Sequence, residues 1–215
     1  MTSFKKTEII KFPEYLSDPV GDSGWGRWEH PVTIQEYGAI NKIDISPHAP
    51  NYFAITSYSK VLLYNPVIKD VYKTLTKFQD AALGAKFRRD GKLLCVGTSE
   101  GQIKVFDVAT KTLLRILKGH MTATHRCDFT ADTTHVVSFS DDKSVGYWDL
   151  PSETLLHRYS QHTDYVRCGA PCNVSSDLFV SGSYDQTVRM WDRRIGSEPV
   201  ITVQHGAPVS DLNTF

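Results

Sequence analysis

The chain has 215 residues, enough for one large domain or two small ones, with 40% apolar and 22% charged residues, the balance of a globular protein that buries a core. Lys and Arg total 24 and Asp and Glu total 24, a formal charge of zero, which excludes nucleic-acid binding driven by a global basic excess. No apolar run reaches the roughly 18 residues of a membrane span, and MTSFKKTEIIKF at the start has no apolar signal core, so neither membrane insertion nor export is expected.

Residues 1–37 precede any recurring pattern. Within them TEIIKFPEY (7–15) reads as a strand able to pair with the last unit of the chain, or else as a leader. DSGWGRWEHP (22–31) is a Gly-rich loop whose Trp25 and Trp28 are either candidate partner anchors or rings tucked against the body. From residue 38 the sequence repeats. Unit one (38–65) ends in KVLLYN, unit two (66–107) in QIKVFD, unit three (108–149) in SVGYWD and unit four (150–192) in TVRMWD. Their last residues, Asn65, Asp107, Asp149 and Asp192, are spaced 42, 42 and 43 apart. His120, His162 and His205 form a second ruler, spaced 42 and 43. KLLCVGTS (92–99), THVVSFS (134–140) and DLFVSGS (177–183) are short β-branched and aromatic runs bounded by Asp, Gly and Ser. No long stretch shows a 3.6-residue period, so each unit is expected to be several short antiparallel strands without a helix. Residues 193–215 begin a fifth unit. Cys95, Cys127, Cys168 and Cys172 form no CxxC pair and read as free thiols of a reducing compartment.

An all-β repeat of 40–45 residues that ends in Trp-Asp, with Gly-His near its start, resembles the WD-repeat family over residues 38–215. The resemblance implies a WD40 β-propeller with four recognisable blades (38–65, 66–107, 108–149, 150–192) and a partial fifth (193–215). Rings in the family commonly have seven blades, so it also implies the truncated N-terminal part of a longer protein. In that family the His, Ser, Asp and Trp of a blade join in one hydrogen-bonded tetrad. The matching residues here are His120, Ser138, Asp142 and Trp148 in unit three, and His162, Ser181, Asp185 and Trp191 in unit four. His, Ser and Asp are also the parts of a hydrolase triad. A triad needs one base and one nucleophile in one cleft, whereas a set duplicated at the repeat period serves each unit. With no phosphate loop, metal cluster or unrepeated acid–base set, neither catalysis nor a cofactor nor a small-molecule substrate is expected. Unit two has Glu100 and Phe106 at the Asp and Trp positions, and unit one has Tyr58 and Tyr64. Those blades should be held by packing alone and be locally softer.

More narrowly, EYGAINKIDISP (36–47), KFQDAALGAKFRRDGKLLCVGTSEGQIKVFD (77–107), DFTADTTHVVSFSDDKSVGYWD (128–149), HTDYVRCG (162–169) and DLFVSGSYDQTVRMWD (177–192) resemble the WD-repeat proteins of the small-subunit processome. That resemblance implies a nuclear, nucleolar scaffold supporting pre-ribosomal RNA transcription and 18S maturation. Its implied partners are other processome proteins of the t-UTP/UTP-A subcomplex, and pre-ribosomal RNA with the U3 ribonucleoprotein, directly or through those proteins. Lys86, Arg88, Arg89, Arg193 and Arg194 are the local basic candidates for RNA contact, or else ordinary loop charge. Asp141 and Tyr184, next to the blade Asp, are candidate partner contacts. A different class is suggested by Trp191-Asp192-x-Arg194, a pattern resembling WD-repeat substrate receptors of cullin–RING ubiquitin ligases.

Overall fold

A computed structural model of the chain describes residues 8–11 and 32–212. The strands fall into one two-stranded and four four-stranded antiparallel sheets. The short pair is β1 (Glu8–Lys11) with β2 (Val32–Gln35). Blade one holds β3 (Ile40–Ile45), β4 (Phe53–Ser57), β5 (Lys60–Asn65) and β6 (Asp70–Leu75). Blade two holds β7 (Ala82–Phe87), β8 (Leu93–Thr98), β9 (Gln102–Asp107) and β10 (Leu113–Lys118). Blade three holds β11 (Thr124–Phe129), β12 (His135–Ser140), β13 (Val145–Asp149) and β14 (Thr154–Tyr159). Blade four holds β15 (Val166–Pro171), β16 (Leu178–Ser183), β17 (Thr187–Asp192) and β18 (Ile201–Gln204). The inner strands β3, β7, β11 and β15 neighbour one another in order, and the sheets form propeller-like blades that do not close into a ring.

The sheets are offset from the sequence units. Each takes as its outer strand the opening segment of the next unit: β6 from 66–107, β10 from 108–149, β14 from 150–192 and β18 from 193–215. The acid or amide that ends each unit is the cause. Its side-chain oxygen accepts a backbone N–H two or three residues on: Asn65 from Val67 (2.9 Å), Asp107 from Thr110 (2.7 Å), Asp149 from Ser152 (3.0 Å) and Asp192 from Arg194 (3.0 Å). Such a side chain reverses the backbone, so the next strand folds straight back onto the same sheet. The turn closes through a left-handed residue, Lys69, Lys111, Glu153 or Gly196. Within the expected strand at 7–15, the described residues Glu8–Lys11 pair with Val32–Gln35 and not with the last blade.

Each blade has a front, facing the preceding blade, and a back, facing the next, because side chains alternate along a strand. Ala54, Val61 and Leu63 on the back of blade one pack with Ala85, Phe87, Leu94 and Phe106 on the front of blade two. Cys95, Ile103 and Val105 then meet Cys127, Phe129, Val136 and Trp148, and Val137, Phe139 and Tyr147 meet Phe179 and Trp191. The core is therefore three successive joints. On the front of blade one, Ile34 of β2 packs against Ile55, Leu62 and Tyr64.

Candidate functional site

In blade four the turn after β16 carries Asp185, β17 carries Trp191 next to its last residue, and the loop after β14 brings His162 between them. His162 Nδ1 lies 2.8 Å from Asp185 Oδ2, His162 Nε2 lies 2.7 Å from Ser181 Oγ, and Trp191 Nε1 donates to the same Ser181 Oγ at 2.8 Å. Blade three repeats this with His120–Asp142 at 2.8 Å, His120–Ser138 at 2.7 Å and Trp148–Ser138 at 2.7 Å. Burial alone would raise the Asp185 carboxyl, yet Thr187 and His162 donate to it and hold it at about 2. Asp142 is held well below the usual carboxylate range: burial works upward, and His120 and Ser144 outweigh it. Burial lowers the His162 pKa against the pull of Asp185, so this ring is neutral at physiological pH. One proton pattern follows: Trp191 donates to Ser181, Ser181 to His162 Nε2, and His162 Nδ1 to Asp185.

The order Ser, His, Asp is that of a hydrolase triad, but Ser138 and Ser181 are both 0% exposed. No substrate carbonyl can reach either hydroxyl, and its lone pair already accepts an indole N–H. What the set does is satisfy four buried polar groups at once, each of which would cost about 1–3 kcal/mol if left unpaired.

Blades one and two solve the same position differently. Phe78 stands one period before His120, and its ring lies 5.4 Å from Phe106 in a cluster with Val96. Blade two is thus held there by apolar packing. In blade one Glu36, one period before Phe78, has a side chain 1% exposed and an ion pair to Lys60 at 2.7 Å. Packing alone does not describe blade one: an ion pair stands where blades three and four join His to Asp. Both charged residues were passed over in the sequence, although the same ruler reaches Glu36.

The other candidates are engaged within the chain. Asp141 accepts both Nε and Nη2 of Arg167 (3.0 and 3.1 Å) and also meets His125 Nε2 at 2.9 Å. The Arg167 guanidinium lies 4.9 Å from the Tyr184 ring centre and 5.3 Å from that of Tyr165. Asp141 and Tyr184 therefore form a clasp between blades three and four, with only the 42%-exposed Tyr165 offering a broad face to solvent. Lys86 pairs with Asp44 at 2.8 Å, Arg88 forks onto Asp90 at 2.6 and 3.0 Å, and Arg89 donates to Asn173 at 2.6 and 2.9 Å. Arg193 bonds Asp177 at 2.8 Å, and Arg194 forks onto Asp192 at 2.7 and 3.0 Å. The structure does not bring these five into one patch: Lys86 and Arg89 line the central cavity, whereas Arg193 and Arg194 sit in the outer turn of blade four. Trp25 and Trp28 lie outside the described residues.

The central cavity, about 270 Å³, is lined by Asp44, Lys86, Arg89, Arg126, Asp128 and Asn173 among others. Asp44, Lys86 and Asp128 are one period apart, so the repeat places unlike charges side by side. Burial pushes the Asp128 carboxyl up to about 6 despite Lys86 and Arg126 nearby.

This constellation has known counterparts. A family model described as WD domain, G-beta repeat matches residues 153–192, and one described as Anaphase-promoting complex subunit 4 WD40 domain matches residues 54–131. The chain carries WD repeats. The first match holds the whole tetrad of blade four; the second spans most of the two blades without one. Among relatives of this WD-repeat chain, a U3 small nucleolar RNA-associated protein 15 homolog from Gallus gallus is 41% identical over all of the chain and 41% of that protein. The Homo sapiens homolog is 42% identical over all of the chain and 42% of its own length. U3 small nucleolar RNA-associated protein 15 of Saccharomyces cerevisiae is 32% identical over 87% of the chain and 37% of its own length. The chain spans about two fifths of the length of these curated relatives.

Proposed function

We propose that this WD-repeat chain serves ribosome biogenesis as a non-catalytic nucleolar scaffold of the small-subunit processome, supporting pre-ribosomal RNA transcription and 18S maturation. The observation that carries the proposal is the similarity to proteins named for U3 small nucleolar RNA, which runs through the chain from end to end, including the two blades whose tetrads are replaced. The chemistry agrees, because the repeated His, Ser and Asp residues are spent inside the blades. A protein of zero net charge is positioned chiefly by protein partners. RNA is met locally, best through Arg194, whose side chain is 63% exposed.

Affinity purification of the tagged chain from cells tests this reading. Processome proteins and U3 RNA should copurify, and Arg194→Glu should lower crosslinking to pre-ribosomal RNA without loss of the proteins. Recovery of a cullin adaptor with no U3 RNA would overturn it in favour of the ubiquitin-ligase class suggested by Trp191-Asp192-x-Arg194.

A further inference from the structure

The joint between blades two and three differs from its neighbours at one place. Leu93, Val105 and Leu114 of blade two and Leu150 of blade three line an apolar hollow of about 330 Å³, in which Leu114 stays 40% exposed. Both walls belong to blades with another blade on each side. At the matching positions the flanking joints hold rings of their own. Between blades one and two, Tyr52 and Tyr72 stack at 5.1 Å, and Lys73 donates to the carbonyls of Val108 (3.0 Å) and Ala109. Between blades three and four, the buried Tyr147 lies 5.1 Å from His135 and 5.4 Å from the Arg193 guanidinium, and it donates to the Ser176 carbonyl at 3.2 Å. Leu114 stands one period after Tyr72, Val105 one period before Tyr147, and Leu93 one period before His135. None of the residues that line the hollow is aromatic.

We propose that this hollow receives a tyrosine side chain from an acidic segment of a partner protein. The flanking joints show what the place fits, and an apolar cavity of about 150 Å³ already admits a benzene ring. The Thr133 carbonyl stands one period before the Ser176 carbonyl that accepts the Tyr147 hydroxyl, so a partner's phenol has a matching acceptor. Charge selects the flanks of the segment. Arg88 and Arg115 line the hollow, and no acid does. Arg88 is spent on Asp90, whereas Arg115 meets Glu153 at 3.2 Å with both side chains 43% exposed. An exposed pair of this kind contributes little, and a partner's carboxylate can take Arg115 as the ring enters. A single aromatic anchor in an apolar pocket with a charged rim is the form binding hot spots take. The inference goes beyond the processome reading and does not rest on it.

Nuclear magnetic resonance of the isotope-labelled chain, titrated with the end-blocked peptide Asp-Glu-Tyr-Glu-Asp, tests this. Saturable shifts should appear at the amides of Leu93, Leu114 and Leu150, and they should vanish when alanine replaces the peptide's tyrosine. Leu114→Tyr gives blade two the ring that blade one has at Tyr72, and it should weaken binding by about tenfold or more with the rest of the spectrum unchanged. Arg115→Glu is an independent second variant. It should lower affinity for the acidic peptide and raise it for Lys-Lys-Tyr-Lys-Lys. No saturable shift in the unaltered chain, binding that survives both substitutions or the loss of the tyrosine, or equal binding of the acidic and basic peptides would overturn the proposal. So would the same amides responding to oligouridine, which would assign the hollow to RNA, or to chain concentration alone, which would assign it to a second copy.

Discussion

The Ser181 hydroxyl is fully committed: it donates to His162 and accepts from Trp191, both buried. Removing Asp185 leaves His162 Nδ1 without its acceptor, so Asp185→Ala should lower stability by about 1–3 kcal/mol. Glu100→Ala, at the matching position of a blade that has Phe78 in place of the histidine, should cost well under 1 kcal/mol. Thermal melts of the two variants decide this, and equal losses would contradict the strut reading. Asp128 titrates in the opposite sense from the tetrad acids. Its folded pKa of about 6 lies above the usual aspartate value of 3.8, so the folded state favours the protonated form, and stability falls as pH rises between those values. Above pH 6 the full penalty is in place, up to about 3 kcal/mol. Asp128→Asn should therefore stabilise the chain at pH 7 and make no difference near pH 3, as denaturant titrations at the two pH values would show. The tetrads were legible in the sequence because His162, Ser181, Asp185 and Trp191 recur at the period. Arg167, His125 and the Glu36–Lys60 pair were not, because each is used once, and a period exposes only what is copied.

At the scale of the element, the repeat period located the strands but not the sheets. Asn65, Asp107, Asp149 and Asp192 look like the ends of units; in the structure they are the turns that bind each unit to the strand beyond it. A marker residue shows where the pattern repeats, whereas hydrogen-bonding partners across a tight turn decide which strands share a sheet. The joint between blades three and four depends on Gly169, where a Cβ would sit 2.2 Å from the Phe139 ring. Ala85 and Cys127 at the matching positions are buried as well. Gly169→Ala should accordingly cost about 1–3 kcal/mol by overpacking, and pairing it with Phe139→Leu should return part of that loss in a double-mutant cycle. Additive losses would place the cost elsewhere.

Across the whole molecule the blades are alike in topology but unlike in what holds them. Blades three and four have polar tetrads and share the Asp141–Arg167–Tyr184 clasp. Blade two relies on an aromatic pair, and blade one on an ion pair beneath a front that Ile34 covers only in part. Stability should therefore be graded along the chain. Native-state hydrogen exchange read blade by blade tests this most directly. The account predicts that amides of β12, β13, β16 and β17 exchange slowest and together, with those of β4 and β5 opening first. Uniform protection across the four blades, or fastest exchange in blade four, would contradict it.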